Sequence, residues 1–402
     1  MKVLTFTTLY PNNISPTNGI FVKERMANFA LLNGGHLKVV APVPYYPRIR
    51  LGGRSLYSRI PGHELIDGLD VHHPRYFMTP KVGMFMYGVE MFLSVLPRVS
   101  RIRTAFDFDL IDAHYIYPDG FAAVLIGKYL QKPVVVSARG SDISQYSEFP
   151  IIRGLLKYTL SRAQRVIAVC QALKDAMVSL ATPSDKIAVI PNGVDATKFF
   201  PIPKDEARRR SGLPLDKTII LSVGGLIARK GFDLLIRAFK ILFEDVGVNN
   251  VFLVIIGDGP LRRDLEKMIS TFSLNNHIRL VGSIPHSDLY LWYNSADLFC
   301  LTSHREGWPN VIMESIACAT PVVATDVWGV PEILCSEGIG VLAQQDERNI
   351  AEKIAFALKR TWNRDEISRH TAKRTWSQVA ISLRNVFQSA VDEFSRKISV
   401  RS

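Results

Sequence analysis

Glu306 and Glu314 frame the segment of this chain whose residue types could do the most chemistry. They stand in Ser303-His304-Arg305-Glu306-Gly307-Trp308-Pro309-Asn310-Val311-Ile312-Met313-Glu314-Ser315. The apolar run before it, residues 298–301, reads as a buried strand, and Pro309 suits the first turn of a following helix because its φ is already set. The backbone N–H groups at a helix start make a seat for phosphate or for sugar hydroxyls. Glu306 falls just ahead of that helix. Glu314 falls more than one turn into it, where its carboxylate can accept two hydrogen bonds from a vicinal diol such as that of ribose. Taken alone, the two glutamates are better explained as a helix cap and a solvent-facing side chain.

A second stretch, Ser222-Val223-Gly224-Gly225-Leu226-Ile227-Ala228-Arg229-Lys230-Gly231-Phe232, puts a glycine turn after a strand and then a basic pair. A cation fixed there, Lys230 with Arg229 beside it, could stabilise a leaving group that gains negative charge, as phosphate clamps do. Gly257-Asp258-Gly259-Pro260 also follows a strand, but the third glycine of a dinucleotide fingerprint is absent, since Arg262 stands in its place. A tight strand-to-helix turn accounts for it. In the first half, Pro16-Thr17-Asn18-Gly19-Ile20 opens a helix after the first strand. Asp112-Ala113-His114 and Arg139-Gly140-Ser141-Asp142 each follow a later strand. His114 is a candidate catalytic group by that position, against the structural role that a lone histidine more often has. Asp107-Phe108-Asp109 could in principle hold a divalent cation. It precedes its strand, at the wrong end of a sheet for catalysis, so no metal is expected.

The elements that would position these residues are short apolar runs alternating with helical patterns. Residues 2–7, 37–41, 110–113, 134–137, 166–169 and 187–190 read as strands. After the turn Pro191-Asn192-Gly193 and a charged stretch at 204–210, read as a solvated helix face beside a linker, the alternation restarts with strands at 218–223, 251–256, 278–281, 298–301 and 322–325. Strands alternating with helices imply βαβ units and parallel sheets covered on both faces. The expectation is two Rossmann-like domains whose sheets face each other across a cleft, over residues 1–195 and 196–375. An amphipathic terminal helix, 376–402, is expected to cross back to the first domain. Ligands in such sheets lie beyond the carboxyl ends of the strands, where every motif above falls.

The long segment resembles glycosyltransferase family 4, whose pattern is close to E-G-x-P-x-x-x-x-E followed by A-x-x-x-P-V-V-A-T. This chain has Glu306-Gly307-Trp308-Pro309-Asn310 through Glu314, then Ala317 through Pro321-Val322-Val323-Ala324-Thr325. The resemblance, which spans most of the chain, implies the glycosyltransferase B architecture and a retaining, metal-independent transfer without a bound cofactor. It implies that Glu306 holds donor-sugar hydroxyls and Glu314 the nucleotide ribose. Backbone around Gly307, Trp308, Pro309, Asn310 and Val311 would meet the sugar and distal phosphate, and Lys230 the leaving diphosphate. Gly257 and Gly259 would line the nucleotide pocket, and Ser283 and Ile284 would reach the base. The family's second cation stands where this chain has Gly225, and Arg229 is its proposed substitute. Gly19, His114, Arg139 (a histidine in the family) and Asp142 would serve the substrates from the first domain. Closure of the two domains would complete the site around Gly19 and Lys230.

Composition agrees with a globular enzyme: of 402 residues 47% are apolar and 21% charged, and Lys plus Arg exceed Asp plus Glu by 49 − 37 = 12. The excess suits a phosphorylated substrate or an anionic membrane surface. Nucleic acid is not expected, because no stacking platform of interleaved aromatics appears. Four cysteines without paired spacing indicate a reducing compartment. With no run of about 20 apolar residues, the expected place is the cytoplasm, at the inner face of the plasma membrane if residues 84–96 make peripheral contact. There Phe85, Val89, Phe92 and Leu96 fit one helix face that could instead be buried. The partners expected are a UDP- or GDP-sugar donor and a glycan or lipid-linked acceptor, in surface-polysaccharide synthesis. A nucleotide-sugar epimerase of the same fold and a non-catalytic nucleotide-binding scaffold are the rival readings; a hydride-transfer enzyme is the least favoured.

Overall fold

The structure, a computed structural model, describes residues 1–45, 52–79 and 83–400. The chain divides into two compact units, one made of Met1–Asn192 with Trp376–Ser402, the other of Gly193–Thr375.

In the first unit an eight-stranded sheet has the order β10-β9-β8-β7-β1-β2-β5-β4. Its strands are β1 (Val3–Phe6), β2 (Leu37–Val40), β4 (His63–Ile66), β5 (Leu69–His72), β7 (Leu110–His114), β8 (Val134–Ala138), β9 (Arg165–Ala168) and β10 (Ile187–Val189). A separate short pair is made by β3 (Val43–Pro44) and β6 (Arg75–Tyr76). The sheet is parallel except at one edge, where β4 pairs antiparallel with β5. The reason is local. Asp67 and Gly68 both have positive φ, 49° and 79°, the geometry of a two-residue hairpin turn whose twist matches its strands.

The core of this unit draws on both ends of the chain. Val22, Met26 and Phe29 of the helix Ile20–Leu32 pack with Val39, Val135 and Ile167 of the sheet and with Trp376, Leu383 and Phe387 of the helix Trp376–Ser399. The Phe29 and Phe387 rings meet edge to face, centroids 5.1 Å apart. The terminal helix starts at Trp376; the polar stretch before it forms a separate short helix, Arg364–Arg369.

In the helix Tyr87–Ala105 the buried residues are Gly88, Met91, Val95, Val99 and Ile102. Phe85 and Leu93 are exposed, so the face anticipated from Phe85, Val89, Phe92 and Leu96 is rotated. Gly88 explains the rotation. A Cβ there would lie 2.6 Å from the Phe121 ring, so the lack of a side chain lets the helix approach Phe121 along that line. No helix among the described residues is long and apolar enough to cross a membrane.

The second unit holds a six-stranded parallel sheet in the order β13-β12-β11-β14-β15-β16. Its strands are β11 (Thr218–Val223), β12 (Val251–Ile256), β13 (Ile278–Gly282), β14 (Leu298–Leu301), β15 (Val322–Thr325) and β16 (Gly340–Ala343). The helices Phe232–Glu244 and Glu347–Lys359 cover one face, packing Leu235, Ile236, Phe239, Ile350 and Ile354 onto Ile220, Leu253, Ile255 and Leu298. The charged stretch folds as the helix Lys204–Ser211. It is not wholly solvated, because Arg208 is buried and donates to Ser295 O at 3.0 Å and to Asp297 Oδ2 at 2.6 Å.

Candidate active site

In the second unit the loops that leave β11 and β14 are tied to each other. His304 N donates to Arg229 O at 2.9 Å, and Thr302 Oγ1 to Gly231 O at 2.8 Å. Gly231 has φ 61°, and a Cβ on it would overlap the Thr302 carbonyl. Only glycine allows the basic turn Ala228–Lys230 to lie against the end of β14. That contact sets Lys230 Nζ 2.5 Å from Glu306 Oε1. Ser303 Oγ donates to the same oxygen at 2.7 Å, while Arg229 Nη1 lies 3.4 Å from Oε2 and donates to Arg305 O at 2.9 Å. Burial raises the pKa of Glu306, but Lys230, Arg229 and the Ser303 hydrogen bond outweigh it, and the net shift is downward. The carboxylate is therefore held ionised, with a cation against it.

Glu306 is followed by Gly307, Trp308 and Pro309, which lead into the helix Asn310–Ala317. Trp308 is buried, with the Arg374 guanidinium 5.5 Å from its ring centroid. About one turn along the same helix, Glu314 is buried and both its oxygens are engaged. His286 Nε2 lies 2.8 Å from Oε1, and Tyr293 OH donates to Oε2 at 2.8 Å. Burial, then Glu314, push the Tyr293 phenol well above its usual pKa. His286 comes directly after the Gly282-Ser283-Ile284-Pro285 stretch that bears Ser283 and Ile284. Its position beside a pocket segment was a usable signal, whereas nothing in the sequence singled out Tyr293.

The glycine turn after β12 packs on the one after β11. Gly257 N donates to Gly282 O at 2.8 Å and Gly224 N to Ile256 O at 2.9 Å. A Cβ on Gly257 would overlap the Gly224 carbonyl. Gly259 follows, its N donating to Asp258 Oδ1 at 2.8 Å. Gly225 differs. The nearest atom to a Cβ there is Asp258 O at 3.9 Å, so the backbone would admit a side chain and this chain has none.

The first unit brings a polar cluster to the carboxyl ends of β7 and β8. His114 is fully buried. Arg139 Nη2 donates to its Nδ1, and its Nε2 lies 2.9 Å from Asp112 Oδ2. Burial first, and Arg139 in part, lower its pKa to about 4, although Asp112 opposes the shift. The imidazole is therefore neutral, enclosed and in contact with Arg139. Arg139 is half-buried, and burial lowers its pKa to about 10. Its Nη1 donates to Asn192 Oδ1 at 3.3 Å. Arg25 reaches the same oxygen at 3.2 Å and Ile190 O at 2.7 Å, entirely buried. Burial chiefly, with Arg139 adding, pushes its guanidinium well below the usual value. The signal for Arg25 was a charge inside the apolar stripe Val22, Met26, Phe29.

Asp142 accepts from Gly140 N at 2.8 Å, Ile116 N at 2.9 Å and Arg139 N at 3.0 Å. Its carboxylate ties loops together in this arrangement. Gly19, left-handed at φ 64°, precedes the first helix and accepts from Val22 N at 2.8 Å. Asp107 and Asp109 lie before β7 and are occupied elsewhere: Lys132 is 2.9 Å from Asp107, and Lys2 N donates to Asp109 at 2.7 Å. Among the described residues no three His, Cys, Asp or Glu side chains are grouped to hold a metal ion.

Two parallel α/β units built in this way are the glycosyltransferase B fold. The chain superposes over its whole length on sucrose-phosphate synthase from Thermosynechococcus elongatus, covering 100% of both chains with TM-score 0.75 at 19% identity. It also superposes on the Anabaena protein HepE solved with UDP, covering 100% of this chain and 99% of that one with TM-score 0.67 at 19% identity. Glycosyltransferase Family 4 matches residues 45–198, and Glycosyl transferases group 1 matches residues 203–374. The chain belongs to glycosyltransferase family 4 and is a glycosyltransferase. A glycosyltransferase assigned to teichuronic acid biosynthesis in Bacillus subtilis strain 168 is 28% identical over 88% of both chains. A D-inositol 3-phosphate glycosyltransferase of Catenulispora acidiphila is 28% identical over 82% of this chain and 83% of its own.

Proposed function

We propose that this enzyme is a retaining transferase that moves a hexose from a UDP- or GDP-sugar to a glycan or lipid-linked acceptor in surface-polysaccharide synthesis. The observation that carries the reading is the Lys230–Glu306 pair, 2.5 Å apart at the mouths of β11 and β14, with Arg229 against the same carboxylate. In the free enzyme the two charges compensate each other. A bound donor engages both: its diphosphate oxygens take the Lys230 ammonium, and its sugar hydroxyls donate to Glu306. As the glycosidic C–O bond breaks, negative charge grows on the diphosphate beside a cation already in place, so little reorganisation is needed.

The helix start at Asn310 and Val311 favours the distal phosphate, and Glu314 faces the ribose diol. Gly257, Gly259, Ser283 and Ile284 shape the nucleotide side. Arg139 is the group of the first unit best placed for the acceptor, with His114, Asp142 and Asn192 fixing its direction. The reaction then proceeds by front-face displacement. The leaving phosphate takes the acceptor proton, no residue forms a covalent intermediate, and no metal is required. The polysaccharide role draws support from the Bacillus subtilis relative, and a uridine donor from the like-folded protein solved with UDP.

Calorimetric titration of UDP, GDP and ADP without added metal, on wild type and Glu314→Ala, tests the donor site. One nucleotide binding tightly to wild type and about tenfold or more weakly to the variant is expected. A folded wild type that binds none of the three overturns the donor site.

A further inference from the structure

Both oxygens of Glu314 already carry a hydrogen-bonding partner, and the two partners come from different elements. His286 opens the turn His286–Asp288, and Tyr293 sits on the helix Leu289–Ser295. An ionised carboxylate only accepts, so the Tyr293 hydroxyl and the His286 Nε2–H both donate to it. Each carboxylate oxygen has two lone pairs, hence two acceptor directions remain, one on each oxygen. A vicinal diol offers two donors at matching spacing.

The two rings are themselves held. Phe199 lies 5.2 Å from the His286 ring and 6.0 Å from that of Tyr293, and Phe299 lies 5.6 Å behind Tyr293. The helix bearing Tyr293 is pinned by Thr320 Oγ1 donating to Tyr293 O at 2.7 Å, and by Asn294 accepting from Ile202 N at 2.8 Å. Glu314 is not sealed off by these contacts. Its side chain keeps 9% of its surface and that of His286 25%.

We propose that Tyr293 and His286 are positioning residues that lock the plane of the Glu314 carboxylate, and so make the enzyme select a ribose diol over a deoxyribose. The inference rests on the ribose role of Glu314 given above. With the carboxylate plane fixed, a nucleotide lacking one hydroxyl leaves one buried lone pair without a donor, and the site has no freedom to turn and compensate. With either partner removed the carboxylate can rotate, and selection for the diol weakens even where the fold survives.

The experiment measures affinities for UDP and 2′-deoxy-UDP, with the guanosine and adenosine pairs in parallel, on wild type, Glu314→Ala, Tyr293→Phe, His286→Ala and His286→Gln. Thermal melts confirm that each variant is folded. Wild type is expected to prefer the ribonucleotide by about tenfold or more, and Glu314→Ala to lose that preference. Tyr293→Phe and His286→Ala are expected to bring the ratio to within about threefold, and His286→Gln, which keeps an N–H donor, to regain part of it. A ratio in Tyr293→Phe and His286→Ala equal to or above that of wild type overturns the positioning role while leaving the ribose reading intact. A wild type indifferent to the 2′-hydroxyl, a Glu314→Ala that still discriminates, or no binding of any pair refutes the ribose reading and the inference with it. Should Tyr293→Phe not fold, the ratio in His286→Ala decides alone.

Discussion

Replacing Lys230 by alanine removes the one charge that the proposed chemistry cannot do without. The ammonium is largely buried, with 15% of its side chain accessible, and it is held 2.5 Å from Glu306. A unit charge about 4 Å from developing diphosphate charge, at an effective dielectric of about 20, contributes about 4 kcal/mol. Part of that attraction is already present in the bound donor and cancels from the barrier. Roughly 2.7 kcal/mol remains, a loss of about 100-fold in kcat. The same substitution leaves the buried Glu306 carboxylate with only Arg229 and Ser303, so the melting temperature falls as well. Fold and chemistry are separated by the double variant Lys230→Ala/Glu306→Gln, which regains stability by neutralising the orphaned carboxylate yet stays as slow as the single one. The assay is release of nucleoside diphosphate from the donor that calorimetry selects, read alongside the melt. Single-variant turnover within about threefold of wild type, or activity that returns with stability in the double variant, would refute the electrostatic argument.

Two further expectations concern the glycine turns of the second unit and a buried carboxyl group of the first. Gly231→Ala drives a methyl group into the Thr302 carbonyl at a left-handed position and should cost about 2 kcal/mol or more in urea unfolding. Gly225→Ala, with its nearest neighbour 3.9 Å away, should stay within about 0.5 kcal/mol of wild type; equal costs at the two positions would contradict the packing described. Asp119, fully buried and accepting from Thr8 N at 2.5 Å, has its pKa raised from 3.8 to about 7, chiefly by burial. The folded state therefore keeps a proton that the unfolded chain has released, so the stabilisation is complete below about pH 4 and is lost as pH rises through 7. Relative to Asp119→Asn, wild type should lose up to about 4 kcal/mol between pH 4 and pH 8, and parallel stability curves for the two proteins would contradict it.

The sequence was most readable where one residue type at one spacing has one physical use. Each of the eleven apolar runs read as a strand became one, because a strand covered on both faces must be continuously apolar. Gly257 and Lys230 could be placed because they follow such runs. Legibility failed where a neighbour distant in sequence decides the outcome. Gly88 turns its helix because Phe121, on another helix, needs the space. Tyr293 matters because a helix later in the chain brings Glu314 to its hydroxyl, and no local pattern carries that information. His114 shows the same limit. Its place at the end of β7 was legible, but its enclosure was not, because Arg139 reaches it from the end of β8. The hairpin at Asp67–Gly68 carries a turn dipeptide, but the runs beside it are too short to read as strands.

The first unit takes its last core helix from beyond residue 375, so the second unit is in effect an insertion within the first. The outgoing and returning segments run side by side, with Val194 N donating to Arg374 O at 2.9 Å. A ribosome making this protein therefore finishes the inserted unit before the enclosing one. Residues 193–375 can complete their sheet while Val22, Met26 and Phe29 still lack the Leu383 and Phe387 that cover them. Until residues 376–399 emerge, the first unit carries an uncovered apolar face, and a nascent chain paused there is prone to aggregate.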